Sequence, residues 1–510
     1  MTLIARVRFA TALPALDKEF DYLIPSELEP LSVGQLVRVP FGKDRTNKTA
    51  VVVGVKENTD FQGEIAQIEA IETTFPLITQ DQLELAKKVA ERFLGSTSEL
   101  LGSILPKRML RVEKNWLSPN QQFQEFDRKT SGKRIFLQPS LVRGGEIPNW
   151  AQTFVEMSLA YKEKNQSVII ALPDFRDLEN FIRAMALLGN NDSLKTIHSG
   201  NTESENYLHY LQATASPNII AGLRSSIFLP AVNLGALLVL DDGDDSHTDP
   251  SSPYWNTRDV SLIRQQLQNC DLVFASASPS SEIVRLIELG YLQHVSEVKE
   301  RPAVKITDSK DRLDEGTYAG ISKALSNQQS VLIQIANLGF ATAIACVKCS
   351  ELRVCSCGAR IWIDPQKKYR CRNCKATGTL PACSCGEVRT RIIRTGSSAI
   401  VEWLKKSFPA ANVIHSSAEE RITKLEAGAN LVIATPGSEP EISTGYQIVV
   451  LADAFSMVGA PRLRALERSL LHWANAAEKV STNGLVVFVG LTDKLASLMQ
   501  NMDFFTAMRE

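Results

Sequence analysis

The sequence predicts an α/β fold with two lobes of parallel sheet, a β-rich N-terminal domain and a cysteine-rich insertion in the second lobe. Two observations lead to this prediction. Strand-like apolar segments alternate with helix-like segments from about residue 133, which is typical of parallel sheets built from βαβ units. Eight of the nine cysteines lie between Cys346 and Cys385. A chain of 510 residues is long enough for about three or four domains.

The N-terminal segment 1–105 alternates short β-like runs with turn residues, for example LVRVPFG at 36–42 and TAVVVGVK at 49–56. The run DQLELAKKVAERFLGS at 81–96 then has helical periodicity. We expect a small β-barrel-like domain that ends in a helix. The polar residues 106–132 that follow predict a linker.

The two lobes are predicted from apolar segments typical of buried strands. These segments occur at 134–139, 166–173, 217–224, 235–242, 271–279, 330–336, 430–436, 446–453 and 484–490. Helix-like segments such as 177–189 and 397–408 lie between them. We assign the first lobe to 133–300. The second lobe begins with 301–345, is interrupted by the insertion 346–388 and resumes at 389–510.

Composition and charge exclude several classes of protein. Hydrophobic residues make up 44% and charged residues 22%, which is ordinary for a soluble globular protein. The net charge of −1 means that any nucleic-acid surface must be a local patch. The N-terminus has no long apolar run typical of a signal peptide, and no segment nears the roughly 20 apolar residues of a membrane span. We therefore expect a cytoplasmic protein with no membrane partner.

The cysteine spacing predicts metal binding. Cys346/Cys349 and Cys371/Cys374 are Cys-x-x-Cys pairs, while Cys355/Cys357 and Cys383/Cys385 are Cys-x-Cys pairs followed by glycine. Each pair can offer two thiolates to one tetrahedral ion, so eight thiolates match two Cys₄ zinc sites of the structural kind. The alternative is a set of reduced cysteines without metal. Cys270 stands apart and is expected to be a small buried hydrophobe.

The cysteine-rich segment is also basic. Residues 346–394 contain four Lys and seven Arg against three acidic residues, which leaves a positive charge even beside two Zn²⁺ ions and eight thiolates. Such a surface could contact phosphate or an acidic partner. Alternatively, the basic side chains partly neutralise the thiolates.

The first lobe has lost the phosphate-binding elements of a nucleotide-driven motor. A P-loop needs a glycine-rich turn followed by Lys-Ser/Thr after the first strand. Here the strand at 134–139 is followed by SLVRGGEIPNW, which contains no such pair. Asp241 and Asp242 end an apolar strand, where Asp241 could still bind Mg²⁺. We interpret the two as a vestigial Mg²⁺ or nucleotide site, and the alternative is a solvated acidic loop.

The second lobe lacks the arginine that would reach the γ-phosphate. Between Arg468 and Arg509 the sequence contains no arginine. An arginine in this role stabilises the transition-state charge of phosphoryl transfer. We therefore do not expect ATP or Mg²⁺ to be a working cofactor.

Several motifs resemble the PriA family of primosomal replication-restart proteins, which are superfamily-2 helicases, and in particular its shortened actinobacterial branch. The N-terminal segments FDYLIP and VPFGK resemble the family's 3′-end DNA-binding domain. The segments HSG, GLRSSIFLP and ASASPSSE in lobe one, and PRLRALER in lobe two, resemble further family motifs, and the cysteines follow the family order. These segments lie at 20–25, 39–43, 198–200, 222–230, 275–282 and 461–468.

The resemblance implies two RecA-like helicase lobes and a nested pairing of the cysteines. Cys346, Cys349, Cys383 and Cys385 would hold one zinc ion, and Cys355, Cys357, Cys371 and Cys374 the other. It also implies a 3′-end DNA-binding site that involves Phe20, Asp21, Tyr22, Gly42 and Lys43. An aromatic side chain can stack on a terminal base, and a carboxylate can accept the proton of the 3′-hydroxyl. The alternative for Phe20 and Tyr22 is ordinary barrel core.

The chain departs from the family pattern at several positions. Residues 241–244 read DDGD where the family has Asp-Glu-Glu-His, and 337–340 read NLGF where it has NRRG. The family's Gly-Arg-Ala-Gly-Arg motif is replaced near 475–479. A family lysine of the 3′-end pocket corresponds to Ala66. These departures predict a helicase-like fold without helicase activity.

The predicted function is therefore recognition of stalled or abandoned replication forks and other branched DNA with a 3′ end. Expected protein partners are other primosome or restart proteins, a replicative helicase loader and single-stranded DNA-binding protein, in a nucleoid-associated setting. One alternative is an ATP-dependent 3′–5′ DNA helicase with an unconventional nucleotide site. Another is a protein-interaction scaffold without DNA binding.

Overall fold

The structure is a computed structural model, and it divides the chain into two compact units. It describes residues 3–28, 30–117, 132–142, 146–189, 191–298, 300–307, 313–335, 341–351, 353–357, 361–363, 368–371, 374–378, 382–395, 397–452, 454–458 and 463–510. The first unit comprises Met1–Gln138, Trp150–Ser276 and Arg285–Val295. The second comprises Pro139–Asn149, Ala277–Val284 and Ser296–Glu510.

The first unit begins with an antiparallel sheet that closes on itself. Over the described residues it has five strands in the order β2-β1-β4-β3-β5. The Leu23 N–H donates to Ala66 O, and the Ile68 N–H donates to Leu23 O, so the chain before β5 also pairs with β2. This is the barrel-like domain that the sequence predicts. The strands are β1 Ile4–Arg8, β2 Phe20–Leu23, β3 Leu36–Phe41, β4 Thr46–Lys56 and β5 Ala70–Ile71.

Helical structure after the barrel is more extensive than expected. The predicted helix is α1 Gln80–Phe93, which begins with a capping box between Thr79 and Gln82. Two helices follow it, α2 Thr97–Ile104 and α3 Leu110–Trp116. The side chain of Ser96 accepts a hydrogen bond from the Glu99 N–H and starts α2, a short helix that the sequence analysis did not predict. Of the predicted linker, residues 118–131 lie outside the described residues.

A mostly parallel sheet of seven strands, counted over the described residues, follows in the order β12-β6-β11-β10-β7-β9-β8. The pairs from β6 to β8 are all parallel. The strands are β6 Arg134–Gln138, β7 Ser167–Ala171, β8 Leu194–Ile197, β9 Ile219–Gly222, β10 Leu234–Leu240, β11 Asp271–Ala275 and β12 Gln293–Ser296. The helices here are α4 Asn149–Glu163, α5 Phe175–Leu188, α6 Glu203–Ala215, α7 Thr257–Gln268 and α8 Ser281–Glu288. The edge strands β8 and β12 were not predicted, because they are short and only partly buried.

The second unit contains a parallel sheet with six described strands in the order β13-β23-β22-β14-β21-β20. Successive residues of β14 alternate between two cores, with Leu332 in one and Val331 and Ile333 in the other. A sheet covered on both faces explains why its strands are continuously apolar. The strands are β13 Ala303–Thr307, β14 Val331–Gln334, β20 Asn412–Ser416, β21 Asn430–Ala434, β22 Tyr446–Leu451 and β23 Val480–Val489. The helices are α9 Glu315–Ser326, α10 Ser397–Ser407, α11 Ala454–Val458, α12 Ala465–Ala477, α13 Asp493–Gln500 and α14 Phe504–Arg509.

The cysteine-rich segment forms a small antiparallel sheet within the second unit. Its described strands, in the order β18-β17-β16-β15-β19, are β15 Ala341–Cys346, β16 Ile361–Ile363, β17 Tyr369–Cys371, β18 Thr377–Gly378 and β19 Thr390–Thr395. Together with the parallel sheet in each unit and the antiparallel N-terminal sheet, it confirms the predicted fold class. Within the described residues, no helix combines the length and the apolar character that crossing a bilayer requires.

Candidate functional site

A cavity of 640 Å³ opens beside the edge strand β2 of the N-terminal sheet. Phe20, Asp21 and Tyr22 line it, as does Ala66. Gly42 and Lys43 do not line it. They lie in the exposed turn between β3 and β4, where Gly42 has φ +79°. The structure therefore brings together three of the five residues expected at a 3′-end site.

Asp21 holds its charge inside this cavity through two neighbours. Its Oδ2 atom accepts hydrogen bonds from the Thr59 hydroxyl and from Lys56 Nζ, the latter at 2.7 Å. Burial raises the pKa of Asp21, but these hydrogen bonds and the nearby cations outweigh it, so the pKa lies below its usual value. In the described part of the chain, Oδ1 accepts no hydrogen bond, and Arg6 Nε lies 3.9 Å away. Oδ1 can therefore accept a hydrogen bond from a ligand hydroxyl.

Phe20 and Tyr22 belong mainly to the barrel core. In β2 they lie on the face opposite to Asp21, as strand alternation requires. The Tyr22 side chain is buried, and its hydroxyl donates to the Pro40 carbonyl at 3.0 Å. The half-buried Phe20 ring packs edge-on against Phe9 and Phe41, with centroid distances of 5.3 and 5.4 Å. The barrel-core alternative thus describes most of the contacts of both rings, although both also line the cavity.

Sequence inspection missed most of the residues that line the cavity, among them Lys56 and Phe61. Lys56 lies at the end of β4, and Phe61 lies in the loop that follows. Nothing in the local sequence distinguishes Lys56 from other exposed lysines, since its role depends on the distance to Asp21. With Arg6 and Lys18, the cavity has three cationic side chains, and these face four carboxylates: Glu19, Asp21, Asp60 and Glu64.

Asp241 and Asp242, at the end of β10, are buried and engaged by protein groups. Asp241 has φ +47°, and its Oδ1 accepts a hydrogen bond from the Ser276 hydroxyl at 2.7 Å. Asp242 is 2% exposed and forms an ion pair with Arg258 at 3.1 Å. The alternative of a solvated acidic loop is therefore wrong for these two residues. The residues 143–145, where a P-loop would lie, are outside the described residues.

In the second unit, the region that replaces the family's arginine motif has one lysine, Lys479, near its end. Lys479 is mostly buried and forms an ion pair with Glu441. Arg464, earlier in the chain, pairs with Glu282 and Glu467 of the same unit. The segment 337–340 and residues 461–462 lie outside the described residues.

The eight clustered cysteines gather into two groups of four. Cys346, Cys349, Cys383 and Cys385 form one group, and Cys355, Cys357, Cys371 and Cys374 form the other. These are the two sets that the resemblance implies. In each group, the four Sγ atoms all lie within 4.8 Å of one another.

The geometry of both groups fits a tetrahedral zinc ion. Neighbouring sulfurs lie 3.5 and 3.6 Å apart in the first group, and 3.4 and 3.5 Å apart in the second. Four sulfurs at about 2.3 Å from one zinc ion would lie about 3.8 Å from one another. The Gly386 N–H donates to Cys383 O, and Gly386 has φ +81°, as a tight knuckle requires. Gly358, after the other Cys-x-Cys pair, lies outside the described residues.

The pKa values of the thiols in the first group also favour the binding of a metal cation. Backbone N–H groups of Cys349 and Lys348 lower the pKa of Cys346 to about 7. For Cys349, the Glu351 N–H lowers the pKa, but burial and the neighbouring thiols raise it to about 12. Four thiolates this close repel one another, so all four ionise together only when a metal ion offsets their charge.

A family model and the sequences of curated relatives both match this chain to PriA proteins. Residues 8–106 match the family model for the 3′ DNA-binding domain (3′BD) of PriA. The probable replication restart protein PriA of Mycobacterium tuberculosis is 27% identical over 515 residues, covering 93% of this chain and 78% of that protein. The replication restart protein PriA of Rickettsia conorii is 26% identical, covering 91% of this chain and 78% of the relative.

Among solved structures, Saccharomyces cerevisiae Dbp5 bound to RNA and ADP BeF3 is 10% identical, with a TM-score of 0.40, covering 84% of this chain and 91% of Dbp5. RecG bound to a three-way DNA junction is also 10% identical, with a TM-score of 0.41, covering 99% of this chain and 71% of RecG.

A parallel sheet in each unit, an antiparallel N-terminal sheet and two Cys₄ clusters define an α/β protein with a cysteine-rich insertion that could hold metal ions. The 3′BD match, together with relatives that align with 93% of the chain, supports a PriA-type protein.

Proposed function

We propose that this chain recognises stalled or abandoned replication forks and branched DNA through an accessible 3′ end, and recruits the proteins that restart replication. The observation that carries this proposal is the coincidence of two features in one domain. The segment that matches a 3′ DNA-binding domain contains a cavity that Asp21 lines, and Asp21 Oδ1 accepts no hydrogen bond among the described residues. The protein would act on DNA in the cytoplasm.

The charge of the cavity indicates which part of a DNA end would enter it. Its four carboxylates outnumber its three cations, so a phosphate group would gain little attraction there. A terminal nucleoside is neutral, and its 3′-hydroxyl can donate to Asp21 Oδ1. We therefore propose that the cavity binds the terminal nucleoside, and that the phosphates remain outside it.

A direct test measures fluorescence anisotropy on labelled forks that end in a 3′-hydroxyl or a 3′-phosphate. We expect about tenfold tighter binding to the 3′-hydroxyl fork at about 100 mM salt, where specific contacts persist. Equal affinity for both forks would contradict recognition of the 3′ end. Fork affinity no better than that of an arbitrary protein at about 100 mM salt would favour the scaffold without DNA binding.

We further propose that the chain has no helicase activity. The acidic pair at the end of β10 supports this, because Ser276 and Arg258 engage Asp241 and Asp242. The ion pair of Lys479 with Glu441 removes a cation from the region of the missing arginine motif. Catalysis of phosphoryl transfer depends on groups that are placed to meet the phosphates and Mg²⁺.

An ATPase assay with forked DNA, with D241A as the control variant, tests this second proposal. We expect no DNA-stimulated turnover from either protein. Turnover by the wild type that D241A abolishes would favour the unconventional helicase.

The two cysteine groups are proposed to hold two structural Zn²⁺ ions, with the basic surface of residues 346–394 available to DNA or to acidic partner proteins. Candidate partners are other primosome proteins, a helicase loader and single-stranded DNA-binding protein. Metal analysis of the purified protein should give two zinc equivalents, and C355S should release one. Retention of both equivalents by C355S would contradict the assignment.

A further inference from the structure

Phe61 differs from the other aromatic residues that line the N-terminal cavity. It is 62% exposed, whereas Tyr22 is buried and Phe20 is half-buried. An exposed phenyl ring is unremarkable when it stands alone on a surface. This one lies on the wall of a cavity that also contains a carboxylate oxygen able to accept a ligand hydroxyl.

The backbone that carries Phe61 is attached directly to Asp21. The Phe61 N–H donates to Thr59 Oγ1 at 3.1 Å, and the Thr59 hydroxyl donates to Asp21 Oδ2. Lys56 Nζ holds the same oxygen at 2.7 Å. One continuous set of hydrogen bonds therefore fixes the loop relative to the carboxylate. Within the described residues, Oδ1 accepts no hydrogen bond, and Arg6 Nε lies 3.9 Å from it.

Gly63 determines where the Phe61 ring can lie. A Cβ atom built on Gly63 would come within 2.6 Å of Phe61 Cε1 and 2.8 Å of Cζ. The ring therefore occupies space that only a glycine at position 63 leaves open. A side chain at this position would have to move the ring, although it would leave the phenyl group in the protein.

We infer that Phe61 is the residue on which the terminal base stacks, while Asp21 Oδ1 accepts the 3′-hydroxyl of the same nucleotide. This inference rests on the proposed recognition of 3′ ends. Phe20 is poorly placed for stacking, because both Phe9 and Phe41 already pack against its ring. Stacking on an aromatic face tolerates every base, so the site recognises an end and not a sequence.

The first experiment compares F61A and F61Y by anisotropy on forks with a 3′-hydroxyl. We expect F61A to bind about tenfold more weakly, since stacking on one aromatic side chain contributes roughly this much. F61Y keeps the ring and should bind within about twofold of the wild type. L13A is the matched control, because Leu13 is exposed to the same extent, 61%, and does not line the cavity.

The second experiment uses two more variants, G63A to displace the Phe61 ring and F61W to replace it with a fluorescent indole. G63A should weaken binding to the 3′-hydroxyl fork by a smaller factor than F61A, because the ring is displaced but present. In F61W, indole emission should fall when a 3′-hydroxyl fork is added and should not fall with a 5′-end duplex. Thermal melting of each variant confirms that the barrel is folded, as expected for changes at exposed positions.

The outcomes separate the inference from the function on which it rests. If the wild type does not prefer the 3′-hydroxyl fork, the proposed 3′-end recognition is wrong. If the wild type has this preference and F61A retains it in full, only the assignment of Phe61 is overturned. Equal losses for F61A and F61Y would also overturn stacking, since both would then report a requirement other than the ring.

Discussion

Two regions of the first unit contain aspartates that sequence inspection selected, and the structure treats them differently. At β2, Asp21 lines a cavity and keeps Oδ1 without a hydrogen bond among the described residues. At the end of β10, Asp241 and Asp242 are buried, and Ser276 and Arg258 engage them. Both regions contain carboxylates beside cations or hydroxyls. They differ in whether a ligand can reach the carboxylate.

This difference teaches that a carboxylate's role depends on whether a ligand can reach it. A buried carboxylate that is paired with an arginine stabilises the fold only while its partner is present. A carboxylate whose second oxygen faces a cavity can keep its charge and still recognise a ligand. The strand end therefore serves structure, and the barrel edge is the better candidate for binding.

The largest expected effect comes from breaking the buried ion pair at β10. R258M should lower the free energy of unfolding by about 3–5 kcal/mol, because it removes the cationic partner of a buried carboxylate. Urea denaturation measures this loss. The double variant D242N/R258M should recover part of it. A loss below about 1 kcal/mol would show that Asp242 is not structurally paired, and would reopen its assignment to a nucleotide site.

A smaller effect is expected at the barrel cavity. D21N keeps the shape of the side chain but removes its charge, and a hydrogen bond to a charged group contributes about 1.5–3 kcal/mol. Affinity for the 3′-hydroxyl fork should fall about tenfold, while affinity for the 3′-phosphate fork should hardly change. E57Q, at an exposed position nearby that does not line the cavity, is the control. Equal losses on both forks would indicate a general electrostatic effect.

A substitution at Tyr22 tests whether its side chain belongs only to the barrel core or also contacts the ligand. Y22F removes the hydrogen bond to the Pro40 carbonyl, so the free energy of unfolding should fall by about 1 kcal/mol. The ratio of affinities for the two forks should stay the same, because the ring remains in the core. A lower ratio without a loss of stability would instead place the Tyr22 hydroxyl at the ligand.

The smallest effect concerns pH. Because the pKa of Asp21 lies below its usual value of 3.8, the carboxylate stays charged throughout the range from pH 5 to 8. The 3′-end preference should therefore be constant over this range. A group with a lowered pKa contributes stability that is present above its unfolded pKa and is lost as the pH falls through the folded value. For Asp21 that loss begins only below about pH 4. A change in the preference near neutral pH would point to a different titrating group.

The regular parts of the fold were predictable because they repeat a simple pattern. Strands such as β7, β10 and β21 are buried along their whole length, and continuous apolar runs reveal them. The short edge strands β8 and β12 were missed, since partial exposure gives them no such run. Helix α2 was not predicted, because it is short and only a capped turn separates it from α1.

The candidate site was predictable only in part. The segment FDYLIP indicated β2 and Asp21, but strand alternation puts Phe20 and Tyr22 on the core side, where the resemblance implied ligand contacts. Lys56 and Thr59 were not found, because each acquires its role from a contact with Asp21, which is distant in the chain. Phe61 was not found, because only folding brings its loop to the cavity.

The sequence alone determined that this protein has parallel sheets and eight thiols at the spacing of metal ligands, because periodicity and spacing are local properties of the chain. Only the tertiary structure decided that Asp242 is buried beside Arg258 while Asp21 lines a cavity. The physical reason is distance: hydrogen bonds and ion pairs act over a few ångströms, and only folding brings these groups that close.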